Sequence, residues 1–262
     1  MTASPSPATR TPFALTGSRA LVTAASRGLG REIALELAGQ GADVVLGVRD
    51  PEGSAALVEE LNAFGVTAQA IHLDVLDLDS CRTAIDAVTA QLGPIDILVN
   101  NAGGGINAPA LEVTEDDFDH VWRLNTRSTF FLSQHLAKSM RASGGGAIVN
   151  IASQAGLVAL PLESSYCTAK AAVVHLTRCL AVEWGGYGIR VNAVAPTFIA
   201  TDGTSEALSD AAFRADTIER IAALHRIGVP AEVSGAVAFL ASPAASLITG
   251  QTLAIDGGWT AR

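Results

Sequence analysis

The sequence predicts a single α/β domain, with a doubly wound and mostly parallel sheet of seven strands and helices on both faces. Short runs of apolar and β-branched residues alternate with longer segments whose apolar residues recur at helical spacing. The strand-like runs are continuously apolar, as in a parallel sheet that is covered on both faces. The 262 residues contain no internal repeat and no mid-chain linker rich in Pro, Gly or Ser, which favours one domain over residues 14–262.

The elements follow one another along the whole chain. The predicted strands are residues 20–23, 43–48, 67–72, 95–99, 147–152, 190–194 and 252–255. The predicted helices include residues 30–40, 53–64, 79–92, 116–140 and 164–184. Residues 200–228, rich in charged residues and alanine, interrupt the alternation before the last helix and strand.

Composition excludes several classes of protein. Hydrophobic residues make up 49% of the chain and charged residues 16%, which permits a large core and argues against disorder. No apolar run approaches the roughly 18 residues of a membrane span. The formal net charge of −9 argues against nucleic acid or an anionic membrane as a partner.

The N-terminus and the cysteines indicate the compartment. Residues 1–13 contain Pro, Ser and Thr without an apolar segment, so we expect a mobile tail and no signal peptide. Cys81, Cys167 and Cys179 are an odd set without metal-ligand spacing. We therefore expect reduced thiols in a cytoplasmic protein, and no metal site.

A glycine turn follows the first predicted strand. Residues 23–30 have the sequence TAASRGLG and lead into a helix that begins near Gly28. Such a turn lets backbone N–H groups and the helix dipole hold a pyrophosphate. The alternative is a glycine-rich connection without a ligand.

The end of the second strand bears on the choice between two dinucleotides. An acidic residue here accepts from the ribose 2′-OH of NAD, whereas an arginine accommodates the 2′-phosphate of NADP. Val48 cannot accept a hydrogen bond, Arg49 can pair with a phosphate, and Arg27 in the glycine turn adds a second positive charge. The pattern favours NADP(H) and leaves NAD(H) possible, because Asp50 could take the acidic role if the strand shifts by two residues. Both arginines could also be ordinary surface residues.

Further polar and small residues follow the third and fourth strands. Asp74, next to Val75, is placed to reach an adenine amino group, although a solvated strand end explains it equally well. Residues 100–105, NNAGGG, allow a close approach of the backbone to a cofactor. Asn125 lies among apolar neighbours in a predicted helix, and a buried asparagine needs hydrogen-bond partners.

Ser153, Tyr166 and Lys170 together predict a proton-transfer site. Tyr166 and Lys170 are i,i+4 neighbours on a predicted helix, so one molecule could contact both. An ammonium beside the phenol favours the phenolate and should lower its pKa from about 10. Ser153 ends an apolar strand and could hydrogen-bond the same substrate oxygen. Taken alone, the Tyr–Lys pair could equally be a surface pair.

These motifs together resemble the short-chain dehydrogenase/reductase family, in its ketoacyl-reductase-like and carbonyl-reductase subgroup. The resemblance extends from about residue 13 to the end and includes IRVNAVAP at 189–196 and TGQTLAIDGG at 249–258. It implies a Rossmann fold in which Tyr166 is the general acid or base and Lys170 lowers its pKa and holds the nicotinamide ribose. Ser153 would polarise the substrate carbonyl, and Asn125 would help position a proton-relay water.

The resemblance also implies a set of cofactor contacts around the glycine turn and the strand ends. They are Thr23, Ser26, Arg27, Gly28, Leu29, Gly30, Arg49, Asp74, Val75, Asn101, Ala102, Gly103, Tyr166, Lys170, Ile199 and Thr201.

Two residues depart from the family pattern. Ala24 stands where the family usually has glycine, so the backbone there must accept a Cβ; we expect a modest shift in the pyrophosphate contact. Thr197 follows Pro196 where the family usually has Pro-Gly, which puts the shape of the substrate in doubt more than the activity.

The sequence does not select the substrate. Residues 200–228 resemble a lid, in which Phe198 and His225 could touch a substrate, and Leu157, Val158 and Leu160 predict an apolar wall. A free ketone, a sugar or polyol, and a steroid-like alcohol all remain open. Docking of an acidic carrier protein is disfavoured by the net charge and by Phe131 and Tyr187, which stand where carrier-dependent ketoacyl reductases tend to have arginines.

The sequence-based hypothesis is an NADP(H)-dependent oxidoreductase that interconverts a carbonyl and a secondary alcohol on a small molecule. The alternatives are an NAD-dependent sugar or polyol dehydrogenase and a non-catalytic protein that senses dinucleotides. We also expect a homotetramer, because the family pairs the helices at 116–140 and 164–184 between subunits. Phe130, Val174 and Leu176 are expected to be the outward apolar residues of those helices.

Overall fold

A computed structural model describes residues 12–261 and contains one seven-stranded sheet in which every strand pair is parallel. The strands are β1 (Arg19–Thr23), β2 (Asp43–Val48), β3 (Ala68–His72), β4 (Ile97–Asn100), β5 (Gly146–Ile151), β6 (Ile189–Pro196) and β7 (Thr252–Ile255). Their spatial order is β3-β2-β1-β4-β5-β6-β7. The predicted fold class is confirmed, with strand boundaries that differ by at most two residues.

Helices cover both faces of the sheet. They are α1 (Gly28–Gly39), α2 (Ala55–Asn62), α3 (Leu78–Leu92), α4 (Glu115–Trp122), α5 (Ser128–Ser143), α6 (Ser164–Trp184), α7 (Asp202–Ser209), α8 (Ala211–Arg220) and α9 (Pro230–Ala241). Successive residues of β1 belong to different hydrophobic clusters, because side chains alternate across a strand. Ala20 and Val22 pack with α1, α2 and α9, and Leu21 packs with α3, α5 and α6. This two-sided burial explains why the strands are continuously apolar.

Several helix ends follow from local chemistry. The Asp77 carboxylate accepts a hydrogen bond from the Ser80 N–H at 3.0 Å and caps α3, which ends at Gly93 with φ +98°. Gly144, with φ +97°, ends α5 in the same left-handed region. These caps set the lengths of the helices that cover the sheet.

The segment predicted as one helix over 116–140 is divided by a π-helical turn at Arg123–Arg127. A π turn leaves main-chain carbonyl groups without their usual helical donors. Here the hydroxyls of Ser128 and Thr129 donate to the carbonyls of Leu124 and Asn125, at 2.6 Å and 2.7 Å. The turn places the Asn125 side chain toward the sheet edge described below.

The strand order reverses between β1 and β4. In open α/β sheets a ligand crevice lies at the carboxyl ends of the strands at such a reversal. The glycine turn after β1 and the Asn-rich segment after β4 both meet there.

The two ends of the segment predicted to be a lid, residues 200–228, are hydrogen-bonded to each other. The Ala200 N–H donates to the Gly228 carbonyl at 2.9 Å, and the Gly228 N–H donates to the Phe198 carbonyl at 3.1 Å. Helices α7 and α8 therefore project from a stem, which we call the lid stem; that they form a lid stays a prediction.

Part of the predicted N-terminal tail, residues 1–11, lies outside the described residues. The other two residues of the predicted tail, Pro12 and Phe13, are described, and both contact the domain. The Ala244 N–H donates to the Pro12 carbonyl at 2.9 Å, and the Phe13 ring centroid is 6.2 Å from that of Phe239 in α9.

Candidate active site

Hydrogen bonds join the glycine turn to the end of β4. The Thr23 hydroxyl accepts from the N–H groups of Asn101 and Ala102, both at 2.9 Å, and the Asn101 amide donates to the carbonyls of Thr23 and Ala24 at 3.0 Å and 3.2 Å. Thr23 is 1% exposed, so its hydroxyl supports the turn from beneath. A contact between Thr23 and the cofactor stays a prediction.

The glycine turn can accept an anion at its helix end. Gly28 has φ +55°, and a Cβ on Gly30 would lie 2.4 Å from the Ala24 carbonyl oxygen, so neither position suits a larger residue. Arg27 is the N-cap of α1 and provides no side-chain cap, and the first turn carries no acidic residue. The first N–H groups of α1 therefore face the crevice end without a competing carboxylate, which fits a pyrophosphate.

Ala24 adopts φ +53°, in the left-handed region where the family usually has glycine. A left-handed backbone costs a non-glycine residue roughly 1–2 kcal/mol, part of which glycine would lose again through greater unfolded-state entropy. We expect Ala24→Gly to raise the free energy of unfolding by about 0.5–1 kcal/mol in chemical denaturation. The matched control is Ala63→Gly at φ −64°, which should lower stability; equal effects at both positions would contradict the strain at Ala24.

Arg49 directly follows β2 and is exposed, beside the crevice. Among the described residues, neither the Arg27 nor the Arg49 guanidinium has an ion pair or hydrogen-bond partner. Asp50, the alternative reader of a 2′-OH, is engaged because its carboxylate accepts from the Gly53 N–H at 3.0 Å. β2 and β3 pair in register with Val48 opposite His72, so the two-residue shift that would place Asp50 at the strand end does not occur.

The predicted adenine site lies after β3. The Asp74 carboxylate accepts from the Leu76 N–H at 3.1 Å, and the neighbouring Val75 is buried. The Cys81 thiol donates to the Asp74 carbonyl at 3.0 Å, and burial raises the pKa of that thiol to about 11. Cys81 is thus a structural residue, and the contact of Asp74 and Val75 with adenine stays a prediction.

Ser153, Tyr166 and Lys170 come together at the carboxyl end of β5. The Lys170 ammonium donates to the Ile151 carbonyl at 2.7 Å and lies 5.6 Å from the centroid of the Tyr166 ring. The Ser153 hydroxyl is close enough to the Tyr166 phenol to oppose the rise in its pKa. The three side chains therefore converge as the sequence predicts.

The expectation that Lys170 lowers the pKa of Tyr166 is wrong for this arrangement. Burial raises the Tyr166 pKa to about 12, against the opposing influence of the Ser153 hydroxyl. Burial also lowers the Lys170 pKa to about 8, because the ammonium is only 3% exposed. The ammonium is directed at a backbone carbonyl, and burial is the largest influence on the pKa of the phenol.

Asn125 joins the same cluster through the loop after β4. Its amide donates to the Gly104 and Val121 carbonyls at 2.7 Å and 2.8 Å, and its oxygen accepts from the Gly104 N–H at 3.2 Å. A Cβ on Gly103 would lie 2.7 Å from the Asn125 oxygen and 3.0 Å from the Lys170 nitrogen. Small residues after β4 thus let the side chains of Asn125 and Lys170, both predicted to be catalytic, pack against this loop.

The predicted contacts from the lid stem also approach the turn. Ile199 is buried, and a Cβ on Gly28 would lie 3.6 Å from the Thr201 Cβ. The hydroxyl of Thr197 is buried and lacks a partner among the described residues. The ring of Phe198 packs against that of Phe213 in α8, with centroids 5.4 Å apart, so it contacts the predicted lid.

Comparison with known proteins gives concordant results. The family model described as "Enoyl-(Acyl carrier protein) reductase" matches residues 23–260. A D-threitol dehydrogenase of Mycolicibacterium smegmatis is 42% identical over 248 residues, covering 95% of each chain. A gluconate 5-dehydrogenase of Gluconobacter oxydans is 40% identical over 248 residues, covering 95% of this chain and 96% of that protein.

A solved structure agrees in fold. The gluconate 5-dehydrogenase of Burkholderia cenocepacia, in complex with NADP and tartrate, superposes with a TM-score of 0.92 at 38% identity, covering 96% of this chain and 98% of that one. The chain belongs to the short-chain dehydrogenase/reductase family. As a member of this family it is an oxidoreductase that interconverts a carbonyl and an alcohol with a nicotinamide cofactor.

Sequence reasoning about this short-chain dehydrogenase/reductase predicted that residues 103–106 and 154–162 form walls of the substrate site. Within them, Gln154 is 2% exposed, and a Cβ on Gly105 would lie 3.0 Å from the Tyr166 Cβ. It missed Glu163, which directly precedes α6; its position three residues before Tyr166 was the available signal.

Two expected absences can be compared with the structure. Residues 12–261 contain no group of three or more His, Cys, Asp or Glu side chains that could hold a metal ion. Within that same range, no helix combines the length and apolar composition of a membrane span.

Proposed function

We propose that the chain is an NADP(H)-dependent short-chain reductase and dehydrogenase that acts on small secondary alcohols and the corresponding ketones. The observation that carries the proposal is the convergence of Ser153, Tyr166, Lys170 and Asn125 at the crevice that also holds the glycine turn. A lone Tyr–Lys pair would be weak evidence, but a buried lysine 3% exposed beside a partly buried phenol is costly unless it is used.

Each residue has a distinct role in this proposal. The Tyr166 hydroxyl donates its proton to the carbonyl oxygen in reduction and accepts it in oxidation. Ser153 hydrogen-bonds the same oxygen and stabilises its developing negative charge. Lys170, held by the Ile151 carbonyl, binds the ribose and passes protons, and Asn125 fixes the wall beside it. The nicotinamide supplies the hydride when it is bound.

NADP(H) is the proposed cofactor form because of charge at the end of β2. Arg49 and Arg27 are exposed and unpaired among the described residues, whereas the carboxylate of Asp50 is bound to Gly53. Guanidinium groups suit a 2′-phosphate and carboxylates suit a 2′-OH. The similar Burkholderia cenocepacia enzyme was solved with NADP.

The substrate class follows from the relatives and from the wall of the site. Two similar proteins are named for threitol and gluconate, so a small polyhydroxylated substrate is the leading proposal within the carbonyl-reductase subgroup. An NAD-dependent polyol dehydrogenase is the second candidate; the names of these relatives support the polyol and do not bear on the cofactor. A non-catalytic dinucleotide sensor is disfavoured, since it has no need to keep all four catalytic side chains.

The first test compares the binding of NADPH and NADH to the wild-type protein, by fluorescence or thermal shift, followed by NADPH oxidation with a ketone panel. We expect tighter NADPH binding and turnover of at least one hydroxyketone. Tighter NADH binding would replace this proposal with the polyol-dehydrogenase candidate. Binding of neither dinucleotide would contradict any oxidoreductase assignment.

A homotetramer is proposed from an apolar groove along α4, α5 and α6, of about 610 Å³. Phe130, Phe131 and Leu176 line it, and the buried indole N–H of Trp122 has no partner among the described residues. Val174, expected to face outward, is 5% exposed and belongs to a buried cluster with Ala193 and Ala195 of β6 and Ala152, which follows β5, because that side of α6 faces the sheet.

Light scattering at micromolar concentration should therefore give four times the chain mass of 26.8 kDa. Introducing a charge with Leu176→Glu should yield smaller species without unfolding, as judged by circular dichroism. A wild-type monomer at that concentration would remove the tetramer from the proposal.

A cytoplasmic location is proposed from the cysteines. Cys81, Cys167 and Cys179 are all free among the described residues. Thiol titration of protein extracted under non-reducing conditions should find three reactive groups after unfolding.

A further inference from the structure

Glu163 is a carboxylate with an unusual environment at the start of α6. It occupies the N-cap position, yet its side chain accepts no hydrogen bond from the helix. The carboxylate has no hydrogen bond or ion pair with any other described residue either, and Glu163 is only partly exposed. Burial raises its pKa, which is the opposite of what a helix N-terminus does to a carboxylate that caps it.

The position of Glu163 places this carboxylate at the active site. It lies three residues before Tyr166, on the same helical face, and its charge raises the pKa of the phenol. The neighbouring Leu162 carbonyl accepts from the Ala108 N–H at 2.9 Å, which joins this segment to the loop after β4. Glu163 therefore lies close to Tyr166, next to the point where the segment before α6 is bonded to the loop after β4.

A second polar group lies near the reacting atoms. Gln154 directly follows Ser153 and is 2% exposed, and its side-chain oxygen is buried without a partner among the described residues. Such a group is costly unless a ligand or water satisfies it. The remaining wall residues of the same loop, including Leu157 and Val158, are apolar.

The nearby cations are already engaged. Lys170 donates to the Ile151 carbonyl, and Arg226 of the lid stem pairs with both carboxylate oxygens of Glu232. A substrate carboxylate would therefore be repelled by the Glu163 carboxylate, and neither of these two cations would be free to pair with it. A neutral substrate hydroxyl would instead donate a hydrogen bond to the Glu163 carboxylate.

We propose that Glu163, together with Gln154, determines specificity and selects neutral polyols and ketoses over sugar acids. Its carboxylate accepts a hydrogen bond from a hydroxyl beyond the reacting carbon and repels an anionic group at that place. This inference rests on the proposed function and narrows it from polyhydroxylated substrates in general to uncharged ones.

The test compares NADP⁺-linked oxidation of a four-carbon polyol such as threitol with that of gluconate. Wild-type kcat/KM should favour the polyol by about tenfold or more, the size of one charge-assisted hydrogen bond. Glu163→Gln keeps the side-chain shape and loses no cap bond. It should raise KM for the polyol with little change in kcat, and it should reduce the preference for the polyol over gluconate by about tenfold.

Gln154→Leu should also lower kcat/KM for the polyol. The matched control, Glu183→Gln, lies at the other end of α6 on an exposed site and should change neither value.

A measurement on the wild-type protein alone avoids any dependence on variant folding. Gluconamide, the neutral amide of gluconate, should inhibit polyol oxidation at a concentration at least about tenfold lower than gluconate. The role of Glu163 would be overturned if gluconamide and gluconate inhibited equally or if the wild-type protein preferred gluconate to the polyol. It would also be overturned if Glu163→Gln left the preference for the polyol unchanged. If simple ketones are reduced with NADPH while neither polyol nor gluconate reacts, this inference fails and the proposed function stands. If no carbonyl or alcohol reacts, the proposed function itself fails.

Discussion

We expect Tyr166→Phe to lower turnover by about 10²- to 10⁴-fold while leaving the affinity for the dinucleotide unchanged, the usual contribution of a positioned general acid or base. The substitution removes the proton donor and keeps the ring, so the contact of that ring with Gly105 is preserved. Because Tyr166 is partly buried and its pKa is about 12, the phenol is protonated at neutral pH and ready to donate in reduction.

The pH dependence supplies an independent check on this role. Oxidation needs the phenolate, so its rate in the wild-type protein should rise from neutral to alkaline pH, and the rise should vanish in Tyr166→Phe. Steady-state kinetics over that range measures it. The matched control is Tyr187→Phe, which alters the chain's other tyrosine, an exposed residue stacked on Arg141. Wild-type turnover in Tyr166→Phe would remove this residue from the reaction.

Arg49→Ala should weaken NADPH binding by about 10- to 100-fold and change NADH binding by less than about threefold. A hydrogen bond to a charged phosphate contributes about 1.5–3 kcal/mol, and NADH has no group at that position. The side chain is exposed and free of ion pairs among the described residues, so its removal should not unfold the protein. Titration of both dinucleotides by fluorescence gives the two ratios.

The control for Arg49 is Arg82→Ala, which removes an arginine paired with Asp79 on the surface of α3. It should leave both affinities unchanged. Equal losses of NADPH and NADH in Arg49→Ala would show that Arg49 acts through the shape of the β2 end and not through the 2′-phosphate.

The layout of the sheet could be predicted from the sequence because the parallel strands are buried on both faces and read as continuous apolar runs. The positions of Ser153, Tyr166 and Lys170 could be predicted because each lies at a strand end or on one helical face. These are local rules, and the structure agrees with them.

The parts that could not be predicted depend on tertiary surroundings. The π turn at Arg123–Arg127 depends on Ser128 and Thr129 supplying donors to freed carbonyls, which helical spacing does not reveal. The raised pKa of Tyr166 depends on burial, whereas the i,i+4 spacing suggested only the effect of the lysine charge. Val174 faces the sheet because this side of α6 packs against β6, and the sequence alone does not show how α6 is rotated about its axis.

The hydrogen bonds between Thr23 and Asn101 join residues that are 78 positions apart. The floor of the dinucleotide crevice therefore forms only after β1 and β4 have paired across a long intervening segment, a step that delays folding more than local contacts do. The dinucleotide can therefore bind only to those protein chains in which β1 and β4 have already paired. At a concentration 100 times the Kd, such a ligand adds about 2.7 kcal/mol to the unfolding free energy. Cellular levels of this protein should consequently follow the supply of its cofactor, because unliganded chains spend more time open to proteolysis.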